Sequence, residues 1–165
     1  MHWYLIHTKP RQENIALENL QQQGYTCYLP LFNVEKIRRG KFAVVLEALF
    51  PRYLFIQLDT ALSSQSWTPI RSTKGVNRLV AFGGQPVKVD ETLVSILKVA
   101  EENQPERLQK MFAAGDKVQL THGAFAGLEG IYQMADGESR AMVLIEMLSK
   151  AVRIAVDPAE LRKLY

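Results

Sequence analysis

Cysteine is almost absent from this chain. Cys27 is the only one, so no internal disulfide can form and a cysteine-based zinc site has no second ligand. Long apolar runs are missing too: none approaches the roughly 20 residues that a membrane helix needs. The first residues, MHWYLIHTKP, lack a basic leader, an apolar core and a small-residue cleavage site, so they do not read as a secretion signal. A reducing cytoplasm, with no membrane association, is the expected setting. Histidine is scarce. His2, His7 and His122 lie among aliphatic or turn residues, with no H-x-x-x-H pair and no nucleophile–base arrangement. No phosphate-cradling loop of the P-loop type occurs, and Gly83-Gly84-Gln85-Pro86 reads as a turn. The expectation is a protein that is not an enzyme and takes no metal and no cofactor.

The remainder is ordinary globular material. Apolar residues make up 47% and charged residues 22%, which argues for a folded chain over a disordered one. A length of 165 residues suits one compact domain or two small ones. The net charge of +3 hides an asymmetry. Residues 1–100 carry 12 basic against 7 acidic residues, and residues 101–165 carry 8 against 10. A basic first half permits nucleic-acid contact, and opposite signs permit the halves to attract each other.

Residues 2–8 alternate as a strand. Pro10 stands where a helix can begin, and the helix is expected to run to Gly24. Residues 25–29 read as a strand. The basic turn Lys36-Ile37-Arg38-Arg39-Gly40-Lys41 then separates two apolar runs, and Gly40 marks a hairpin tip. YLFIQL, at 53–58, is a strand rich in aromatic and branched residues. Ser66 is placed to cap a short helix, Val76 to Phe82 reads as extended, and Asp90 is placed to cap a helix bearing Leu93, Ile96, Leu97 and Ala100 on one face. Residues 101–114, charged and containing Pro105, read as a linker. The expected domains are therefore 1–100 and 115–165.

From Gly115 to Tyr132, apolar alternation at Val118 and Leu120, a turn at Gly123, Phe125 as a plug, and Gly127 and Gly130 for tight curling describe a small β-barrel element. This stretch resembles the KOW motif of ribosomal proteins and NusG-type transcription factors. The first half chooses between them. Trp3-Tyr4, Phe50-Pro51-Arg52-Tyr53-Leu54-Phe55, and Thr73-Lys74-Gly75-Val76 followed by Leu79-Val80-Ala81-Phe82-Gly83 are similar to the NusG N-terminal domain. Glu35-Lys36-Ile37-Arg38-Arg39-Gly40-Lys41, Gly115-Asp116-Lys117-Val118 and Asp136-Gly137-Glu138-Ser139-Arg140 resemble the RfaH-type branch, the specialised antiterminators. One departure stands out: the His-Thr-rich segment of that branch is replaced by a longer Ser63-Ser64-Gln65-Ser66-Trp67-Thr68.

The resemblance implies an α+β N-terminal domain, an antiparallel sheet flanked by helices, followed by a small KOW domain. It also implies a monomeric factor that suppresses pausing and termination. The N-terminal domain is expected to bind RNA polymerase through an exposed apolar groove, with Phe50, Tyr53, Phe55, Phe82 and Leu97 as candidates. Leu54 and Ile56 face the other way from Tyr53 and Phe55, so one set is core. Lys9, Arg11, Arg38, Arg39, Lys41, Arg71 and Lys74 are candidates for nucleic acid, because guanidinium and ammonium groups suit phosphates and guanine edges. Gln12 and Gln23 add base contacts. In related factors the bound strand is the non-template DNA on the polymerase, and the KOW barrel contacts a small-subunit ribosomal protein.

Residues 138–153, ESRAMVLIEMLSKAVR, are consistent both with two strands of a barrel and with a helix of good helix formers. The resemblance implies the same two outcomes: a β-barrel, or an α-helical hairpin packed on the N-terminal domain. Glu47 and Arg140 stand where an ion pair would clasp the domains. Valued as an exposed pair it contributes only about 0–1 kcal/mol, which leaves closure to apolar burial. A ribosomal RNA-binding module and a general NusG-like elongation factor are the rival readings.

Overall fold

The computed structural model describes residues 2–59, 67–101, 131, 134 and 136–155. Its centre is β1 (His2–Thr8), whose alternation sends Trp3 and Leu5 to one face and Tyr4 and Ile6 to the other. All four are buried, which marks a central strand covered on both sides. On one side β1 pairs with β5 (Tyr53–Leu58), in the register Tyr4↔Ile56 and Leu5↔Phe55, and β2 (Thr26–Tyr28) continues beyond β5. On its other side β1 pairs with β6 (Val76–Leu79) and, nearer its start, with β9 (Lys88–Val89). Every pairing is antiparallel.

Two hairpins stand outside this sheet. β3 (Leu31–Arg38) and β4 (Lys41–Ala48) form a long one, and β7 (Ala81–Phe82) and β8 (Gln85–Pro86) a short one. Arg39 and Gly40 both adopt positive φ, 53° and 76°, as a two-residue turn matched to strand twist requires.

The sheet separates two apolar clusters. Tyr4, Ile6, Leu54 and Ile56 pack with Ala16 and Leu20 of α1 (Glu13–Gln22) and with Ile70 of α2 (Thr68–Arg71). Trp3, Leu5, Phe50 and Phe55 pack with Leu93, Val94, Leu97 and Ala100 of α3 (residues 91–101) and with α4 (Gly137–Ala155). α4 contributes Ala141, Leu144, Met147 and Leu148, the three-and-four spacing of a helix with one apolar stripe.

Several expectations are corrected. α1 begins at Glu13, not Pro10, because Arg11 takes a left-handed φ of 61° and the Gln12 N–H closes a turn onto the Lys9 carbonyl at 3.1 Å. The extended stretch from Val76 to Phe82 is divided between β6 and β7, with Val80 between them donating its N–H to the Leu5 carbonyl at 2.8 Å. Trp67, not Ser66, holds the cap position of α2, with no side-chain cap; Ser66 lies outside the described residues. Asp90 does cap α3, its Oδ1 accepting from the Thr92 N–H at 2.8 Å. Residues 138–153 are helical, within α4. Helix satisfies the backbone locally, and burial of the apolar stripe on the sheet selects it over the strand reading. The linker 101–114 lies, except for Glu101, outside the described residues. Of Gly115–Tyr132 only Ile131 is described, and it is fully buried in the cluster beneath α4.

Candidate functional site

The polymerase candidates gather in one place. Phe50 and Phe55 are 0% exposed and Leu97 is 1% exposed, all in the cluster that contains α4. Tyr53 and Phe82 are half-buried against the same cluster. Phe50 and Phe55 meet edge-on at 6.4 Å between ring centroids, and Tyr28 stacks on Phe55 at 6.2 Å. The expected exposed groove is therefore not exposed: α4 covers it. Tyr53 and Phe82 also line an open groove along the flank of α4, bounded by Met142, Val143 and Ile145.

Arg140 fixes α4 to this face, and it corrects the expectation of an exposed ion pair. It is fully buried. Its Nε donates to the Leu49 carbonyl at 2.8 Å and Nη1 donates to the Met134 carbonyl at 2.8 Å. Its Cζ lies 5.5 Å from the Phe32 ring centroid, within range of a cation–π contact. Burial pulls the guanidinium pKa below its usual value, and the charges of Glu47 and Asp136 pull it back up. Two carbonyls and an aromatic face thus hold a cation away from water.

The start of α4 is equally specific. Asp136 caps it: its Oδ2 accepts from the Ser139 hydroxyl at 2.8 Å, and its carboxylate accepts from the Glu138 and Ser139 N–H groups at 3.3 Å. The Ser139 hydroxyl contributes most to holding the Asp136 carboxyl below its ordinary pKa. Gly137 lies so close to Pro51 that a Cβ there would sit 2.6 Å from the ring Cγ.

The nucleic-acid candidates form two groups. Lys9, Arg11, Gln12, Gln23, Arg71 and Lys74 come from three chain segments on the α1 side of the sheet. These segments are joined where the Lys9 N–H donates to the Gly75 carbonyl at 2.9 Å and Gly75 packs on the backbone of Ala16, where only glycine fits. Lys9, Arg11, Arg71 and Lys74 are exposed. Gln23 Nε2 donates to Thr73 Oγ1 at 2.8 Å and to the Asn19 carbonyl at 3.2 Å, so its amide is positioned from both sides. Arg38, Arg39 and Lys41 lie apart, at the tip of the β3–β4 hairpin.

Sequence reasoning passed over Asn19, Thr73 and Arg52. Asn19 and Thr73 sit within the first group through their contacts with Gln23. Arg52 stands behind it, with its N–H on Glu13 Oε1 at 3.0 Å and Nε on the Thr8 carbonyl at 3.3 Å. Among the described residues, the non-glycine positions with positive φ are Arg11, Arg39 and Arg52. Arg39 owes its φ to the hairpin turn, and the left-handed backbone at Arg11 and Arg52 is a feature that only coordinates reveal.

A family model described as transcription termination factor NusG matches residues 1–98. The chain belongs to the NusG family. Similar proteins include the transcription termination/antitermination protein NusG of Thermus thermophilus, 27% identical, with 98% of this chain and 97% of that protein covered. The protein of the same name from Chlamydia pneumoniae is 29% identical, with 92% of this chain and 88% of that protein covered. A solved structure titled "Domain interaction in Thermotoga maritima NusG" aligns with a TM-score of 0.45 at 21% identity, covering 62% of this chain and 58% of that one. The family thus accounts for the α+β half with its antiparallel sheet, and for a role in transcription termination and antitermination. Among the described residues no helix is long and apolar enough to cross a membrane.

Proposed function

We propose that this chain is an RfaH-like antitermination and elongation factor whose polymerase-binding face is closed by its own C-terminal segment. The observation that carries this reading is α4. It buries Ala141, Leu144, Met147, Leu148 and the cation of Arg140 on the same cluster that holds Phe50, Tyr53, Phe55, Phe82 and Leu97. Release of α4 frees that face for RNA polymerase. The released domain, residues 115–165, then adopts the KOW barrel and meets a small-subunit ribosomal protein, coupling transcription to translation. The basic residues Lys9, Arg11, Arg71 and Lys74, with Gln12 and Gln23, contact the exposed non-template DNA strand, and Arg38, Arg39 and Lys41 add phosphate contacts from the hairpin. α1 and α4 lie on opposite faces of the sheet, so closure leaves the α1-side patch open to solvent.

A second reading, a general NusG-like elongation factor, is favoured by the names of the similar proteins. Recruitment separates the two. On the first reading, full-length chain joins transcribing polymerase only on templates carrying a specific non-template element, and Arg140→Ala relaxes that requirement. Equal binding by wild type and variant on every template would favour the second.

A further inference from the structure

The aromatic and aliphatic candidates for polymerase share their sheet face with a polar margin. Alternate residues along a strand share a face, as do cross-strand partners. His7 therefore lies on the face of Trp3 and Leu5, the α4 side. In register it stands between Tyr53 of β5 and Arg78 of β6, so Tyr53, His7 and Arg78 form one row across three strands. The rings of His7 and Tyr53 are 5.1 Å apart between centroids. Tyr53 lines the groove along α4, His7 is half-buried and Arg78 is exposed, so the row meets solvent while α4 is docked. The margin is a set of donors. Asn77 Nδ2 lies 2.7 Å from His7 Nδ1. An amide nitrogen only donates, so Nδ1 accepts and the ring keeps its proton on Nε2, which has no partner among the described residues. Burial first, and then the charges of Arg52 and Arg78, hold the imidazole below its ordinary pKa, so at neutral pH it is an uncharged donor beside two cations. The Arg52 guanidinium is committed through Nε to the Thr8 carbonyl, whereas Arg78 has no hydrogen-bond or ion-pair partner among the described residues. An open N–H and an unpaired guanidinium on adjacent strands fit a carboxylate. The row faces away from the α1-side patch and touches Tyr53, which favours an acidic side chain of a protein partner over a DNA phosphate.

We propose that Arg78 and His7 hold an acidic side chain of RNA polymerase at the rim of the docking face, Arg78 supplying the charge and the His7 Nε2–H the direction. The proposal rests on the reading that this face binds polymerase. It adds a specificity element to a surface that is otherwise apolar. Apolar contact gives affinity, while a cation left unmatched disfavours a partner without the carboxylate. The rim is open before α4 leaves, so it is also a part of the face that polymerase can touch first.

The test measures the affinity of full-length chains for core RNA polymerase over a range of KCl, each chain also carrying Arg140→Ala so that α4 docking is weakened equally in all. Folding is checked by circular dichroism. Arg78→Glu should weaken binding about ten-fold or more at low salt, because like charges then face each other, and the deficit should shrink as KCl rises. His7→Phe keeps a ring against Tyr53 and removes the N–H, so it should weaken binding roughly two-fold to ten-fold, the span of one hydrogen bond. Lys88→Glu, at an exposed position on β9 outside the row, makes the same change in net charge and should leave binding as it is. Two outcomes overturn the rim: Arg78→Glu binds polymerase as Lys88→Glu does, or it loses affinity only for single-stranded DNA, which would assign Arg78 to nucleic acid. Tyr53→Ala tests the underlying reading separately. If it weakens polymerase binding while Arg78→Glu does not, the rim fails and the docking face stands. If neither variant weakens it, both fail.

Discussion

Replacing Gly137 by alanine sets two effects against each other, and the structure decides between them. Gly137 is the first residue of α4, where alanine favours helix by up to about 1 kcal/mol relative to glycine. Propensity alone therefore predicts a more stable α4. The added Cβ, however, would sit 2.6 Å from Pro51 Cγ and 3.1 Å from its Cδ. A proline ring cannot rotate away, and Pro51 is held between the buried Phe50 and Arg52, whose φ is 71°. The helix start must move instead, which strains Arg140 at its two carbonyl acceptors. Overpacking of this kind costs about 1–3 kcal/mol. Set against the full propensity gain, docking should lose up to about 2 kcal/mol, which raises the undocked fraction by as much as roughly 30-fold. Hydrogen exchange at the amides of Leu144 and Met147 reads this directly, because undocking exposes them. Apparent affinity for RNA polymerase should rise by the same factor. Pro51→Ala combined with Gly137→Ala should recover much of the protection, as expected for a steric pair. Slower exchange in Gly137→Ala than in wild type would refute the reasoning, since it would mean that the ring yields and propensity wins.

Two further outcomes follow from the same junction. Arg140→Ala removes the donor to the Leu49 and Met134 carbonyls and leaves a cavity, so α4 protection should fall by about 2 kcal/mol or more, measured by hydrogen exchange. Arg140→Met, apolar and of similar length, should retain more docking than alanine; equal loss in both would point away from packing. Acidification should loosen α4 through Asp136. Its carboxyl is held below the ordinary 3.8 by the Ser139 hydroxyl, so the cap's contribution is complete above about pH 4 and is lost as pH falls through the lowered value. An exchange-versus-pH profile that is the same in Asp136→Asn would exclude this cap as the cause.

The sheet was the most legible part of the chain. The alternation in HWYLIHT and YLFIQL sets which residues share a face, and Tyr53 and Phe55 do lie opposite Leu54 and Ile56. The start of α1 was not legible, because a left-handed arginine at position 11 has no signature in propensity. The gathering of Lys9, Gln23 and Lys74 was equally hidden. It depends on a hydrogen bond to Gly75 and a side-chain bond from Gln23 to Thr73, contacts between segments far apart in sequence. Residues 138–153 carried both periodicities at once, and only the neighbouring face of the sheet separates them. Arg140 shows the limit most clearly: a charged residue in a polar-looking turn of sequence lies fully inside.

The two-faced sheet also has a temporal meaning. The α1-side patch stays bare while the α4 side is sealed, so on the proposed function reading an address and breaking a seal are separable events. The protein can scan DNA for as long as it needs with its stickiest surface shut. The apolar cluster meets water only in the interval between arrival and engagement, which keeps the search soluble and confines commitment to the place where the partner is already within reach.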